Sequence, residues 1–312
     1  MKEENFKGHI SMIGANTFWG AMPPAAKIAM VGGGVAPIVV TDMRFFGAMI
    51  LFWVVSLFCK RERVEHKDML KLFVAAMLAI VFNQGCFIFG VKFTSPVNAS
   101  IIATTMPLIA MILAALILKE PITGKKVAGI AVGATGALLL IIGSSGSNGT
   151  GNSGENHILG DILVLMAQLS YALYFVIFKD FVGKYSIVTI MKWMFTYSAI
   201  CALPFSYNEL VDTAWSGMDW SVIVALAVIV LGGTFVSYLL VIVGQRNLRP
   251  TVAAMYNYVQ PVIACSIAVI LGMDSLNLSK LLSVILICIG VYLVSVSPSK
   301  RDMEIKLAGK TD

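Results

Sequence analysis

The chain alternates long apolar runs with short polar segments. A membrane-spanning helix needs about 20 predominantly apolar residues. Ten runs approach or reach that length: 10–29, 38–58, 69–90, 97–118, 126–143, 159–179, 187–207, 221–243, 251–271 and 280–297. The first run contains Trp19, Pro23 and Pro24, and no small-residue cleavage site precedes a soluble domain, so it is predicted to be a helix and not a signal peptide. The pattern predicts an all-α integral membrane protein with ten transmembrane helices.

Composition supports this interpretation. Of the 312 residues, 58% are hydrophobic and 13% are charged, whereas soluble domains carry about 25% charged residues. The mean hydropathy is +0.86. A soluble fold of this length could not keep that much apolar surface from water. We therefore expect lipid to solvate the outer surface.

The positions of Lys and Arg predict the orientation. With the N-terminus in the cytoplasm, most of the 23 basic residues fall in cytoplasmic segments. Only Lys92 and Lys280 fall on the other side, and Lys27, Arg44 and Lys192 lie within spans. This bias is the positive-inside pattern of a multi-pass protein in the cell (inner) membrane, with both termini cytoplasmic. Basic loops at an anionic leaflet explain the net charge of +6 without a nucleic-acid partner.

The chain contains an internal repeat. Five residues of the first half, Gly90, Pro96, Ala99, Pro107 and Gly136, recur 154 positions later as Gly244, Pro250, Ala253, Pro261 and Gly290. Each copy holds five predicted spans, and an odd number makes the second copy enter the membrane from the opposite side. The prediction is two inverted five-helix repeats. They cover 8–143 and 159–298, joined by an external Gly/Ser/Asn-rich linker at 144–158 and followed by a cytoplasmic tail at 299–312.

An ordered set of motifs resembles the EamA domain of the drug/metabolite transporter superfamily. In the first half the set is Trp19-Gly20, Lys27, Pro37, Arg44, Gly90, Pro96, Pro107, Lys119-Glu120 and Gly136. In the second half it is Gly160-Asp161, Tyr171-Ala172-Leu173-Tyr174, Pro250, Pro261 and Gly290. Two such copies cover nearly the whole chain. The sequence departs from the family pattern at Gly272-Met273-Asp274, where the family often has Gly-Glu.

The resemblance implies a transporter that works by alternating access. It implies a central cavity lined by spans 1–4 and 6–9, with spans 5 and 10 at the periphery. Members of the family move amino acids, other metabolites, nucleotide sugars or drugs, often outward.

Neutral polar and aromatic residues within the spans are the candidates for substrate contact. An amide in hydrocarbon must find a partner on another helix or in a water-filled cavity. Helix–helix bonding explains any one of these residues as well as substrate binding does, but their clustering in both halves favours a cavity. The predicted substrate-binding residues are Asn16, Trp19, Asn83, Gln84, Tyr238, Tyr256 and Asn257.

Charged and proline residues within the spans suggest further roles. Arg44 and Lys192 lie about two turns inside their spans and are predicted to form a gate or an anion contact. Pro107 and Pro261 are predicted to kink their helices, either as hinges or as static bends. The 17 acidic residues and the His residues all fall in tails, loops or span ends. Facilitated diffusion or exchange is therefore expected in preference to a proton relay.

Three functions are considered for a membrane protein with this sequence pattern. The first is export of small metabolites, amino acids or related amphipathic compounds, and the second is a lipid or lipid-precursor flippase of the same fold. The third, a membrane-embedded enzyme, lacks any HExxH, GxSxG or acidic metal-binding motif. No cofactor or metal is predicted, and the expected partners are a small-molecule substrate and membrane lipid. Gly129, Gly133 and Gly136 predict close helix packing, either between the halves or in a homodimer.

Overall fold

The computed structural model describes residues 2–93, 102–144, 157–213, 215, 217–270 and 278–298. All regular secondary structure within these ranges is helical. Most of the predicted linker and the whole predicted tail at 299–312 lie outside the described residues, as do Pro96 and Gly272–Asp274. The described ends of the linker, at Ser144 and at 157–158, belong to helices.

The α-helices divide between the two halves at the linker. The first half contains α1 (Lys2–Lys27), α2 (Pro37–Leu57), α3 (His66–Ala76), α4 (Asn83–Phe93), α5 (Met106–Ile117) and α6 (Gly124–Ser144). The second half contains α7 (His157–Ile177), α8 (Ile187–Asp212), α9 (Trp220–Ala227), α10 (Ser237–Asn247), α11 (Pro250–Met255), α12 (Val259–Ile270) and α13 (Leu278–Ser295).

Many of these helices have the length and composition of membrane spans. Five stretches in the described residues are long and apolar enough to cross a bilayer: Pro37–Leu57, His66–Phe87, Ile158–Ile177, Ile187–Asp212 and Trp220–Asn247. Two shorter apolar helices cover Met106–Ile117 and Leu281–Ser295. Between 33% and 50% of each long apolar window is buried. At least half of each window is therefore not buried within the molecule, as expected for helices solvated by lipid.

The packing between helices has the same pattern in both halves. Helix α2 packs on α8 and α6 packs on α13. Helix α1 packs on α10 and α12, while its counterpart α7 packs on α4 and α5. If each helix is replaced by its counterpart in the other half, the same set of packed pairs is obtained. Such a pattern is expected when two repeats are related by a pseudo-twofold axis.

The predicted small-residue contact lies between the halves. A Cβ atom added to Gly290 of α13 would lie 2.6 Å from the Cα atom of Gly133 of α6. A Cβ atom on Gly129 would lie 2.9 Å from the carbonyl oxygen of Gly290. No side chain fits in this space, so the two helices approach backbone to backbone.

Helix irregularities recur at equivalent positions. A π-helical segment at Met77–Phe82 precedes Asn83 and Gln84, and another at Val228–Val236 precedes Ser237 and Tyr238. The two segments overlap when the repeats are aligned at 154 positions. π-Helical turns often occur at functional sites, because they rotate the following residues relative to a regular helix.

The prolines of the repeat follow breaks in the helices. Pro107 lies in the first turn of α5, directly after a turn at Thr104–Thr105. Pro261 lies in the first turn of α12, after a 3₁₀ turn at Tyr256–Tyr258. Each proline thus begins a new helical segment, a position where the missing N–H group has no helical partner to lose.

Candidate substrate site

Two pairs of equivalent residues touch each other at the interface of the halves. Gln84 Nε2 donates a hydrogen bond of 3.0 Å to the Tyr238 hydroxyl. The Tyr258 hydroxyl donates one of 2.9 Å to the carbonyl oxygen of Thr104. The members of both pairs are 154 positions apart. A residue and its equivalent can touch only close to the axis that relates the repeats, so these bonds mark the centre of the molecule.

Trp19 of α1 borders this centre. Its Nε1 donates a 3.0 Å hydrogen bond to the carbonyl oxygen of Gly233, within the second π segment. Its ring packs edge-on against Tyr238, with centroids 5.7 Å apart, and against Tyr171, with centroids 6.2 Å apart. Phe195 also packs edge-on against the Tyr238 ring, with centroids 5.1 Å apart. Four helices thereby contribute aromatic rings to one cluster.

Arg44 of α2 reaches the same cluster from another side. Its Nε donates a 3.0 Å hydrogen bond to Thr234 Oγ1, which in turn donates to the carbonyl oxygen of Ile229. Thr234 directly follows Gly233, whose carbonyl oxygen accepts the bond from Trp19, so the guanidinium lies close to the aromatic cluster. Within the described residues its terminal nitrogens donate no hydrogen bond and it forms no ion pair. A half-buried cation with free planar donors is suited to bind a carboxylate or phosphate.

Two further polar atoms near the centre have no partner. Gln84 Oε1 and the Tyr171 hydroxyl are buried, and neither forms a hydrogen bond in the described part of the chain. Leaving such a group unsatisfied costs about 1–3 kcal/mol. Together with Arg44 they provide donors and an acceptor around the aromatic rings. A ligand with both polar and apolar parts could satisfy them.

The predicted residues Asn16, Tyr256 and Asn257 belong to a different network. Asn16 is fully buried, donates to the carbonyl oxygen of Met12 and accepts a 2.8 Å bond from Gln260 Nε2. Gln260 Nε2 also lies 3.4 Å from Asn257 Oδ1. The Tyr256 hydroxyl lies 2.5 Å from His9 Nδ1. These contacts join α1 to the α11–α12 region. They fit the alternative interpretation, in which these side chains hold helices together instead of binding substrate.

Asn83 and Lys192 also have other partners. Asn83 Nδ2 donates a 3.0 Å bond to the carbonyl oxygen of Ala167 on α7. Lys192 Nζ lies 4.8 Å from the centroid of the Trp53 ring. Trp53 is nine residues beyond Arg44, about 13 Å along α2. The structure therefore brings Trp19, Gln84, Tyr238 and Arg44 together and keeps Lys192 apart from Arg44.

The sequence pattern does not single out Thr234 or reveal the burial of Asp42. Thr234 corresponds to Ile80 in the first repeat, so a polar residue with an apolar counterpart was the signal that could have identified it. Asp42 lies near a span end, as predicted, yet only 1% of it is exposed. Hydropathy places a residue along a helix but does not show which neighbour covers it.

Comparison with known proteins agrees with this architecture. The model of the EamA-like transporter family matches residues 6–142 and 158–296. An uncharacterized transporter of Archaeoglobus fulgidus is 26% identical, with 89% of this chain and 95% of that protein covered. The uncharacterized transporter YoaV of Bacillus subtilis is 23% identical, with 94% and 98% covered.

Further similar proteins also match over nearly the whole chain. A WAT1-related protein of Arabidopsis thaliana is 23% identical, with 97% of this chain and 94% of that protein covered. A solved crystal structure superposes with a TM-score of 0.76 at 14% identity and covers 95% of this chain. At that identity the superposition shows the fold alone.

Proposed function

Since the chain belongs to the EamA-like transporter family, within the drug/metabolite transporter superfamily, we propose that it exports a small amphipathic carboxylate by alternating access. Amino acids and related compounds are the proposed substrate class. The proposed architecture is ten transmembrane helices in two inverted repeats. The packing of α1 and α7 on equivalent helices of the opposite half supports this architecture.

The observation that carries the substrate class is Arg44. Its terminal nitrogens are free within the described residues, and its partner Thr234 adjoins Gly233, which binds Trp19 of the aromatic cluster. A guanidinium binds a carboxylate through two parallel hydrogen bonds. The unpartnered Gln84 Oε1 would accept a bond from a substrate amino group. The rings of Trp19 and Tyr238 would contact its apolar side chain.

Alternating access needs two closures, one on each side of the substrate. Near the start of α3, Asp68 bonds to Lys184 of the other half. At the opposite end of the helices, Val222 of α9 packs in an apolar cluster with Ala29 and Val39 of the first half. Both contacts join the two halves. Opening one while the other stays closed would expose the axis to one side of the membrane at a time.

The proposal is tested with purified protein by thermal shift and by transport into liposomes. The probes are radiolabelled neutral amino acids, the corresponding amino-acid amides and a lipid headgroup precursor, phosphoethanolamine. We expect stabilisation and transport by compounds with a free carboxylate and none by the amides. Because a charged hydrogen bond is lost, Arg44→Gln is expected to weaken binding at least about tenfold.

Lys192→Gln is the matched control, because it removes a cation of the equivalent repeat position that lies over Trp53 and away from the cluster. It is expected to bind the probes like the wild type. Arg44→Lys separates loss of charge from loss of the planar donors. Equal binding of acids and amides would refute the proposed substrate class. Response to phosphoethanolamine alone would favour a lipid flippase instead.

A further inference from the structure

Asp42 is a buried acid with an unusual environment. It lies in the second turn of α2 with 1% of its surface exposed. One carboxyl oxygen is buried without a hydrogen-bond partner, and the side chain of Ser206 on α8 lies next to the carboxyl group. No ion pair to Asp42 is formed within the described ranges. An ionised carboxylate in such a place is costly, and buried acids avoid the cost by taking up a proton.

The Ser206 hydroxyl is engaged within its own helix. The Ser206 hydroxyl donates a 3.2 Å bond to the carbonyl oxygen of Ala202, within α8. A hydroxyl has a single hydrogen to donate. While this bond is formed, Ser206 has no hydrogen to donate to the Asp42 carboxyl group. A neutral carboxylic acid, which carries its own hydrogen, can donate to the Ser206 oxygen.

In the described ranges, no ionisable side chain on the elements packed against α2 forms an ion pair with Asp42. The elements packed on α2 are α4, α8 and the π-helical segments at 28–32 and 228–236, and the two π segments have no ionisable side chain. The ionisable residues of α8 near Ser206 are Tyr197, Cys201, Tyr207, Glu209 and Asp212. Tyr207, Glu209 and Asp212 are exposed. Lys192 lies over Trp53, and Arg44 bonds to Thr234. On α4, Cys86 is a free thiol and the side chain of Lys92 is outside the described part.

The acid is not a requirement of the repeated fold. At the offset of 148 residues that aligns Arg44 with Lys192, Asp42 corresponds to Ile190. Ile190 is 1% exposed and packs in the main apolar core. One repeat thus buries an aliphatic side chain where the other buries an acid. A role specific to Asp42 explains this asymmetry better than packing does.

A weak point in α8 lies beside the acid. Pro204 is inside α8, two residues before Ser206, and it has no N–H group to bond the carbonyl of Ile200. The helix can bend at such a position. Bending there would move Ser206 and the end of α8 away from α2. Water would then reach the Asp42 carboxyl group.

We propose that Asp42 is a proton-binding site whose occupancy controls separation of α2 from the end of α8. The carboxyl group keeps its proton while Ser206 covers it. When the contact opens, its O–H bond breaks heterolytically, the proton passes to water and a carboxylate remains. The contact closes again only after the carboxylate has taken up a proton. Proton binding itself does not depend on the proposed transport function, but its coupling to transport rests on that function.

Infrared spectroscopy of the full chain tests proton occupancy without any substrate. We expect the carbonyl stretch of a protonated carboxyl group at neutral pH in the wild type and its loss in Asp42→Asn. Asp219→Asn is the matched control, because Asp219 is an exposed carboxylate whose hydrogen bonds with Ser221 lower its pKa. It should retain the band. A wild-type spectrum without the band, or a band that survives in Asp42→Asn, would overturn the proposal.

Hydrogen–deuterium exchange of residues 204–212 tests control of the contact. After correction for intrinsic rates, we expect severalfold faster exchange at pH 9 than at pH 6 in the wild type and in Asp219→Asn. The pH effect should be absent in Asp42→Asn, which mimics the neutral acid. A protonated Asp42 with no pH effect on exchange would overturn the control by occupancy. Neither readout uses a transported compound, so a failed transport assay remains a separate result.

Discussion

The two ends of the molecule are held by different forces. At one end, which we name the Asp68 cluster, Asp68 accepts bonds of 2.6 Å from Lys184, 2.9 Å from Lys71 and 2.7 Å from the Tyr185 hydroxyl. At the other end, the Val222 cluster is formed by buried apolar side chains, and the buried Asp42 lies two residues after Val40 on α2. It consists of Ala25, Ala29, Val35, Val39, Val40, Val222, Ala225 and Ile229.

The difference predicts that the ion pairs of the Asp68 cluster and the apolar contacts of the Val222 cluster respond to different conditions, apart from the proposed effect of Asp42. Hydrogen bonds with Lys184, Lys71 and Tyr185 lower the pKa of Asp68, and those with Asp68 and Glu65 raise the pKa of Lys184. The Asp68 cluster therefore depends on pH and salt. The Val222 cluster depends on close contact, since a Cβ atom on Gly33 would lie 2.6 Å from Val222 Cγ1. The loop charges predict that the Asp68 cluster faces the cytoplasm.

The largest effect is expected from a charge in the Val222 cluster. Val222→Asp should destabilise the protein by at least about 3 kcal/mol, because a carboxylate would replace a side chain that is 1% exposed. Val222→Ala, the uncharged control, should cost about 1–2 kcal/mol for the lost methyl groups. Chemical unfolding followed by tryptophan fluorescence measures both. Equal losses would mean that apolar contact is not what holds this end.

A pH-dependent effect is expected from Asp68→Asn. Because the pKa of Asp68 is lowered in the folded state, its stabilisation is complete above about pH 4 and is lost as the pH falls toward the lowered pKa. The raised pKa of Lys184 makes its contribution complete below about pH 10 and lost at higher pH. Wild type should therefore melt above Asp68→Asn at pH 7, and the difference should shrink at pH 3.

Glu209→Gln is the control for this experiment, since Glu209 is exposed at the end of α8 and forms no ion pair in the described residues. Its melting temperature should stay close to that of the wild type at both pH values. If the difference between wild type and Asp68→Asn were the same at pH 3 and pH 7, the charge of Asp68 would not stabilise this end.

The smallest effect is expected at the rim of the Asp68 cluster. The side chain of Lys71 is 56% exposed and pairs with Asp68 one helical turn away. Lys71→Met should cost about 0.5 kcal/mol, and high salt should remove most of that difference by screening. Unfolding at low and high salt measures it. A loss as large as that of Val222→Ala would show that solvent exposure does not weaken this pair.

The repeat made part of the site predictable. An offset of 154 aligns Gln84 with Tyr238 and Thr104 with Tyr258, and both pairs are hydrogen-bonded at the axis. The contact between Arg44 and Thr234 joins residues 190 positions apart and follows no repeat offset. It depends on the rotation of α2 and on the π segment that carries Thr234. Local sequence patterns do not encode either of these.

The sequence by itself determined the lipid-solvated helices, the duplication and the family, because hydropathy and repeat spacing are read along one dimension. Only the tertiary structure decided which polar side chains meet. It placed Trp19, Arg44 and Tyr238 in one cluster and Asn16 with Gln260 in another, although Asn16 and Trp19 are less than one helical turn apart. It also buried Asp42 under Ser206. The physical reason is that a side chain's partners depend on the rotation and packing of whole helices.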